Sequence, residues 1–152
     1  MKKIDSHLHV WAHDPATYPY REGQEPPTAE GTAEFLLSLM DDAGIAGSLI
    51  VQPIVHGFDH TYVDDTLMQW PDRFYGMCLV KPQADDPIRM LDELADRGYR
   101  GVRFNPALWR EGETMDGNVG RALYARAGEL GIAVGFLVSP DNYDEIDNLG
   151  DL

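Results

Sequence analysis

Three residues near the start of the chain have the types and spacing of a metal or substrate site. Asp5, His7 and His9 occupy every second position, and alternate residues of a β-strand point to the same face. Two imidazoles on one face, with α-carbons about 6–7 Å apart, can converge on one divalent metal or on a substrate carboxylate or carbonyl. The pattern therefore predicts the beginning of an active site, with Trp11 as a substrate contact on the same face.

The metal at this site follows from the chemistry of its ligands. Neutral imidazole suits zinc and related divalent ions, so zinc is the ion expected if His7 and His9 bind one. A metal-independent site, in which both histidines bind the substrate, stays open. A single histidine in a strand is ordinarily a hydrogen-bonded core residue. Two at this spacing, preceded by an aspartate, favour a catalytic site.

Short apolar runs alternate with segments of helical periodicity along the chain. Five strands are predicted, over residues 3–11, 47–52, 74–80, 101–105 and 133–138. Five helices are predicted, over residues 33–43, 61–70, 87–97, 117–130 and 141–152. Such alternation indicates parallel strands with outer helices, and the expected α/β fold is a partial (β/α)8 TIM barrel of about five βα units. A doubly wound open sheet is the alternative, but no Gly-x-Gly-x-x-Gly follows the first strand.

Other candidates lie at strand ends and in the first long loop, because barrel enzymes place their sites at the carboxyl ends of strands. Gln52 ends the second predicted strand and Asn105 the fourth, so both are candidate substrate contacts. Arg103 could hold a carboxylate or a developing oxyanion through paired hydrogen bonds; a structural salt bridge is the alternative. Tyr20 lies in a long loop of the kind that often forms a lid, although flexible surface would also explain it.

The remaining histidines and the single cysteine have simpler interpretations. His56 and His60 follow the second strand and are expected at the surface. Cys78 lies in an apolar run and is expected to be a small buried hydrophobe. One cysteine excludes an intrachain disulfide. No signal-like or membrane-spanning apolar run is present, so the cytoplasm is the expected location.

The charge of the chain limits its partners. It has 26 acidic against 12 basic residues, for a formal net charge of −14. Such a surface repels phosphate backbones and anionic membranes. A small-molecule substrate is therefore the expected partner, and neither nucleic acid nor a membrane is.

Four short segments resemble one known family. Residues 4–11 (IDSHLHVW) are similar to the opening of the amidohydrolase-2 family, in the amidohydrolase superfamily, and closest to its lactonase-like branch. Matching pieces follow in order at residues 51–53 (VQP), 70–74 (WPDRF) and 101–105 (GVRFN). The resemblance makes residues 1–152 a single N-terminal portion of a distorted TIM-barrel domain, without its C-terminal units.

The resemblance also implies a reaction and a site. Hydrolysis of a small lactone, cyclic ester or related carbonyl compound is expected, with catalytic roles for His7, His9 and Arg103. The family's later-strand histidine and last-strand aspartate are expected outside these residues, since no histidine follows His60. A metal-dependent decarboxylase of the same superfamily and an inactive fragment are the alternatives. Exposed sheet edges in a partial barrel predict self-association.

Overall fold

The computed structural model describes residues 2–25 and 27–150. Within them the strands are β1 Lys3–Leu8, β2 Ile45–Val51, β3 Phe74–Cys78, β4 Tyr99–Phe104 and β5 Ala133–Phe136. The helices are α1 Ala33–Ala43, α2 Thr61–Gln69, α3 Pro87–Asp96, α4 Asn118–Leu130 and α5 Tyr143–Gly150. Every predicted element is present, and no described end differs from its predicted position by more than three residues. The last two positions of the predicted helix 141–152 lie outside the described residues.

The chain forms two compact units, Met1–Met77 and Cys78–Leu152. In the first unit β2 lies between β1 and β3 and pairs with both in parallel. Its buried residues come from strands and helices alike, including Met40, Ile50, Val51 and Val63. The carboxyl ends of β1 and β2 therefore lie at the same edge of the sheet, with His7 near the end of β1 and His9 just after it.

In the second unit β4 pairs in parallel with β5, and Arg103 lies opposite Gly135 in the register. The core includes Leu91 and Leu94 of α3 and Leu123 of α4. Arg126 of α4 donates to Asp92 of α3 over 2.7 Å, which links the two helices at the surface. None of the helices in the described part of the chain is long and apolar enough to span a bilayer.

Local signals explain where the helices begin and end. The Thr32 hydroxyl accepts the Phe35 N–H at the start of α1, and Gly44 ends that helix in the left-handed conformation at φ 65°. Helix α3 begins at Pro87, with the Asp86 carboxylate accepting the Arg89 N–H. Capping side chains satisfy N–H groups that have no partner within the helix. Both helices begin at the predicted positions, 33 and 87.

The first strand differs from the prediction. Asp5 pairs with Ser48 and Leu8 with Ile50, so three steps along β1 match two along β2, which is a β-bulge. The Asp5 carboxylate accepts the His7 N–H at 3.0 Å inside the bulge. The predicted strand over 3–11 is wrong beyond Leu8, because the Trp11 N–H leaves the sheet and donates to the Gly31 carbonyl.

Candidate active site

The rings of His7 and His9 lie side by side despite the bulge. Their centroids are 5.2 Å apart and their planes are nearly perpendicular, at 89°. A ring centre lies roughly 3.2 Å from a zinc ion bound at about 2.1 Å, so two ligands in tetrahedral geometry place their ring centres about 5 Å apart. Both side chains are exposed. The pair therefore fits the spacing that two imidazoles need to share one ion or one substrate oxygen.

The tautomer of His9 is determined by the neighbouring strand. Its Nδ1 lies 2.8 Å from the carbonyl oxygen of Val51, the last residue of β2. A carbonyl oxygen only accepts, so Nδ1 carries the proton, and the neutral ring then has its lone pair on Nε2. This is the arrangement typical of a metal-binding histidine, whose other nitrogen donates to a carbonyl or carboxylate.

A complete metal site is not found among residues 2–25 and 27–150. No group of three or more histidine, cysteine, aspartate or glutamate side chains there could hold an ion. The carboxylate of Asp5 accepts a backbone N–H instead. His7 and His9 therefore fit two positions of a divalent-metal ligand set, and the described residues supply no third.

Gln52 follows β2 and is buried, with 1% of its surface exposed. Its side-chain nitrogen donates to the carbonyl oxygens of Gly57 at 3.2 Å and Asp59 at 2.7 Å. Its Oε1 is buried and accepts no hydrogen bond within the described part of the chain. Gln52 therefore holds the loop between β2 and α2, and its predicted substrate contact rests on that one oxygen.

Trp11 and Tyr20 direct their polar atoms into the first long loop. The Trp11 indole N–H donates to the Ala29 carbonyl at 3.2 Å, and its ring covers Gly31 so closely that a Cβ there would overlap it. The Tyr20 hydroxyl donates to the Ala12 carbonyl at 2.7 Å. Both residues therefore shape the loop that follows His9, while their predicted contact with substrate stays a prediction.

The expectation that His56 and His60 are surface residues is wrong, since each is only 3% exposed. His56 accepts the Ala12 N–H at Nε2 and donates from Nδ1 to Pro19. His60 lies with Nδ1 2.9 Å from the Phe58 carbonyl oxygen. The first loop covers His56 from 37 and 44 positions away in sequence. No local pattern around His56 could have indicated those partners.

Arg103 lies in the second unit, near the carboxyl end of β4. It is half-buried, and burial lowers the pKa of its guanidinium. Across residues 2–25 and 27–150 it forms neither a salt bridge nor a side-chain hydrogen bond, whereas Arg73, Arg89 and Arg126 each pair with a carboxylate. A partly desolvated cation that stays unpaired in so acidic a chain suits an anionic ligand.

Asn105 caps the short turn after β4, where its Oδ1 accepts the Ala107 N–H at 3.0 Å. Arg103, Asn105, Leu108 and Trp109 help to line a cavity of about 10 Å³ in this unit, room for one water molecule. The surroundings of Arg103 therefore include its own strand, the turn that Asn105 fixes and, from other elements, Val80, Pro82 and Leu123. The predicted substrate contact of Asn105 stays a prediction.

Comparison with known proteins identifies the family. The family model described as amidohydrolase matches residues 4–150, nearly the whole chain. The chain belongs to the amidohydrolase family. The resemblance of residues 4–11 and of the three later segments is thereby confirmed. The histidine pair of this amidohydrolase lies at the start of the matched region.

Relatives of this amidohydrolase include enzymes named for lactones. The 4-sulfomuconolactone hydrolase of Rhizobium radiobacter is 35% identical over 100 residues, which cover 66% of this chain and 32% of that protein. A probable 2-pyrone-4,6-dicarboxylic acid hydrolase from Acinetobacter baumannii, solved with citric acid bound, has a TM-score of 0.76 at 22% identity. That match covers 93% of this chain and 51% of the solved one.

A second solved structure contains a metal. The 5-carboxyvanillate decarboxylase of Novosphingobium aromaticivorans, with bound manganese, has a TM-score of 0.64 at 16% identity and covers 88% of this chain and 49% of that one. These likenesses confirm the predicted fold, five βα units of a (β/α)8 barrel. The amidohydrolase chain spans about a third of the curated relative and about half of each solved chain.

Proposed function

We propose that this chain carries part of the active site of an enzyme that hydrolyses a small lactone bearing a carboxylate or sulfonate group. The observation that carries the proposal is Arg103, a half-buried guanidinium with no carboxylate partner among the described residues. The reaction adds water across the ring C–O bond of the lactone and yields a hydroxy acid.

The anionic group is the part of the substrate that Arg103 would bind. A guanidinium offers parallel N–H donors that match the oxygens of a carboxylate, and charge-assisted bonds of this kind are roughly twice as strong as neutral ones. The names of both related hydrolases describe anionic lactones, one a sulfonate and the other a dicarboxylic acid. The solved hydrolase also binds citric acid, a third anionic molecule.

In the first unit, His7 and His9 would act on a carbonyl group. A divalent metal, when bound, supplies a Lewis acid that polarises the carbonyl and lowers the pKa of a bound water. Zinc is the ion that we propose for the imidazole pair. The hydrogen bond to Val51 keeps His9 in the tautomer that binds through Nε2, and this orientation serves a metal or a substrate oxygen equally.

The test compares Arg103→Gln with Arg100→Gln, which removes an exposed arginine from the same strand. Binding is measured by titration calorimetry with matched lactones, one carrying a carboxylate and one neutral. We expect Arg103→Gln to weaken binding of the anionic lactone by at least about tenfold and to leave the neutral one unchanged. Equal losses in the two variants, or equal binding of the two lactones by the unaltered chain, would contradict the proposal.

A decarboxylase is the second candidate, supported by the manganese-containing decarboxylase of the same fold. Metal analysis and identification of the reaction product distinguish the two functions. A decarboxylase would release carbon dioxide from an aromatic acid and lose all activity on chelation. Lactone hydrolysis that survives thorough chelation would exclude both the decarboxylase and a metal-assisted hydrolysis. An inactive fragment would turn over neither kind of substrate.

A further inference from the structure

The first strand is open on one side. Within the described residues, β1 pairs with β2 alone. The open side of such a strand presents backbone N–H and C=O groups that a strand of another molecule can bind. Ile4 on β1 is 64% exposed, although isoleucine is among the residues most often buried. β1 therefore offers an uncovered surface for the addition of a strand.

The charges of this strand differ from those of the whole chain. Residues 2–8 contain the charged side chains of Lys2, Lys3 and Asp5, for a formal net charge of +1, whereas the chain carries −14. Two copies of so acidic a chain repel each other over most approaches. An approach through β1 is different, because it brings together two segments in which acidic residues are in the minority.

The order of side chains in β1 is complementary to itself. When two antiparallel copies are aligned about Ile4, this residue lies opposite its own counterpart, and Lys3 of each copy lies opposite Asp5 of the other. Directly opposite side chains in an antiparallel pair have Cβ atoms about 4.5–5.5 Å apart, and opposite charges there stabilise the pairing. Alignment about Asp5 would instead place two carboxylates face to face.

We propose that two copies of this chain associate by antiparallel pairing of residues 2–6, aligned about Ile4. Charged side chains on an edge strand oppose pairing with most other strands. A second copy is the exception, because it presents the opposite charge to Lys3 and to Asp5 at once. The two-fold symmetry of such a dimer forms each of these ion pairs twice.

The hydrogen bonds that Lys3 and Asp5 already make are compatible with this pairing. Nζ of Lys3 donates to the Ala43 carbonyl at 3.2 Å, and an ammonium group has three donors. Oδ1 of Asp5 accepts the His7 N–H at 3.0 Å, and a carboxylate has about four acceptor sites. Both side chains can therefore keep their present partners and still form the ion pair between copies.

The first experiment measures the monomer–dimer equilibrium of the chain by sedimentation velocity over a range of concentrations. We expect a reversible dimer. Lys3→Glu and Asp5→Lys should each weaken it by about tenfold or more, because two pairs of opposite charges become pairs of like charges. An equal mixture of these two variants should restore the dimer, since every substituted position then faces the opposite charge again. That restoration also shows that both variants are folded.

Lys2→Glu is the matched control. It makes the same change of charge on an exposed lysine one position away, but Lys2 lies opposite Ser6 in the proposed alignment. This variant should leave the dimer nearly unchanged. Equal weakening by Lys2→Glu and Lys3→Glu would show that only the total charge matters, and the proposal would then be wrong.

Disulfide crosslinking tests the alignment directly. Ile4→Cys places a thiol opposite its own counterpart, at a separation that a disulfide can span, so mild oxidation should give a covalent dimer. Ser6→Cys is the control, because this position faces Lys2 and should crosslink far more slowly. The native Cys78 is buried and should not take part.

Several results would overturn the proposal. They are a chain that stays monomeric at every concentration, a dimer that survives both charge reversals, a mixture that fails to associate, and equal crosslinking of the two cysteine variants. None of these measurements uses a substrate, and the paired residues stop before His7. The proposed hydrolysis and the proposed dimer therefore fail separately.

Discussion

Nδ1 of His9 lies 2.8 Å from the carbonyl oxygen of Val51, so the end of the second strand orients a histidine that follows the first. Parallel neighbours in a barrel sheet end at the same edge, which is why a backbone carbonyl is available at that point. The histidine motif therefore depends on β2 as well as on β1.

Removal of the His9 imidazole should weaken metal binding. Zinc affinity, measured by titration calorimetry, is expected to fall by at least about tenfold in His9→Ala, because one of two adjacent ligands is lost. His13→Ala is the control, since it removes an exposed histidine that lies apart from the pair in sequence. Similar zinc affinities in the two variants would argue against His9 as a ligand.

Two glycines of α4 should respond in opposite ways to alanine. A Cβ at Gly120 would overlap the carbonyl oxygen of Met115, whereas a Cβ at Gly128 would meet nothing within 4 Å. Gly120→Ala is expected to lower the free energy of unfolding by about 1–3 kcal/mol. Gly128→Ala should raise it by about 0.5–1 kcal/mol, because alanine is the better helix former. Urea denaturation of both variants measures the difference, and a stabilised Gly120→Ala would show that the backbone at Met115 yields easily.

The Cys78 thiol should be inert in the folded protein. It is fully buried, and burial raises its pKa from 9.0 to about 12. Thiolate is the reactive form, so a disulfide reagent at pH 8 should label the native chain at under about 1% of the rate in urea. The folded state keeps its proton above pH 9 while the unfolded thiol loses it. Cys78 therefore makes folding less favourable as the pH rises from 9 to about 12. Rapid native labelling would show that the residue is accessible.

The alternation of strands and helices could be predicted from sequence because it depends on local signals. Periodicity, the cap at Asp86 and the left-handed Gly44 act within a few residues, so they indicate well where the elements lie in the sequence. The burial of His56 could not be predicted, since its partners lie 37 and 44 positions away. The bulge in β1 could not be predicted either, because it arises from the pairing with β2. Nothing in the spacing of Asp5, His7 and His9 indicates it.

The role that we propose for Arg103 could be predicted from the sequence only in part. The position at the end of a strand follows from the pattern, and the family resemblance supports a functional arginine there. Whether one of 26 acidic residues pairs with it is a question of tertiary structure. Among the described residues none does, in contrast to Arg126, which bonds both Asp92 and Glu129.

A regular strand would couple the spacing of His7 and His9 to the register of β1 against β2, and the extra residue in β1 loosens that coupling. In an uninterrupted ladder, a change in the spacing of His7 and His9 would shift every residue of β1 against β2. Here three steps of β1, from Asp5 to Leu8, match two steps of β2, while β2 and β3 keep an unbroken register from Ser48 to Val51. Ser6 is exposed and lies between the paired positions Asp5 and Leu8, so a substitution there changes a neighbour of His7 and touches no ladder pair.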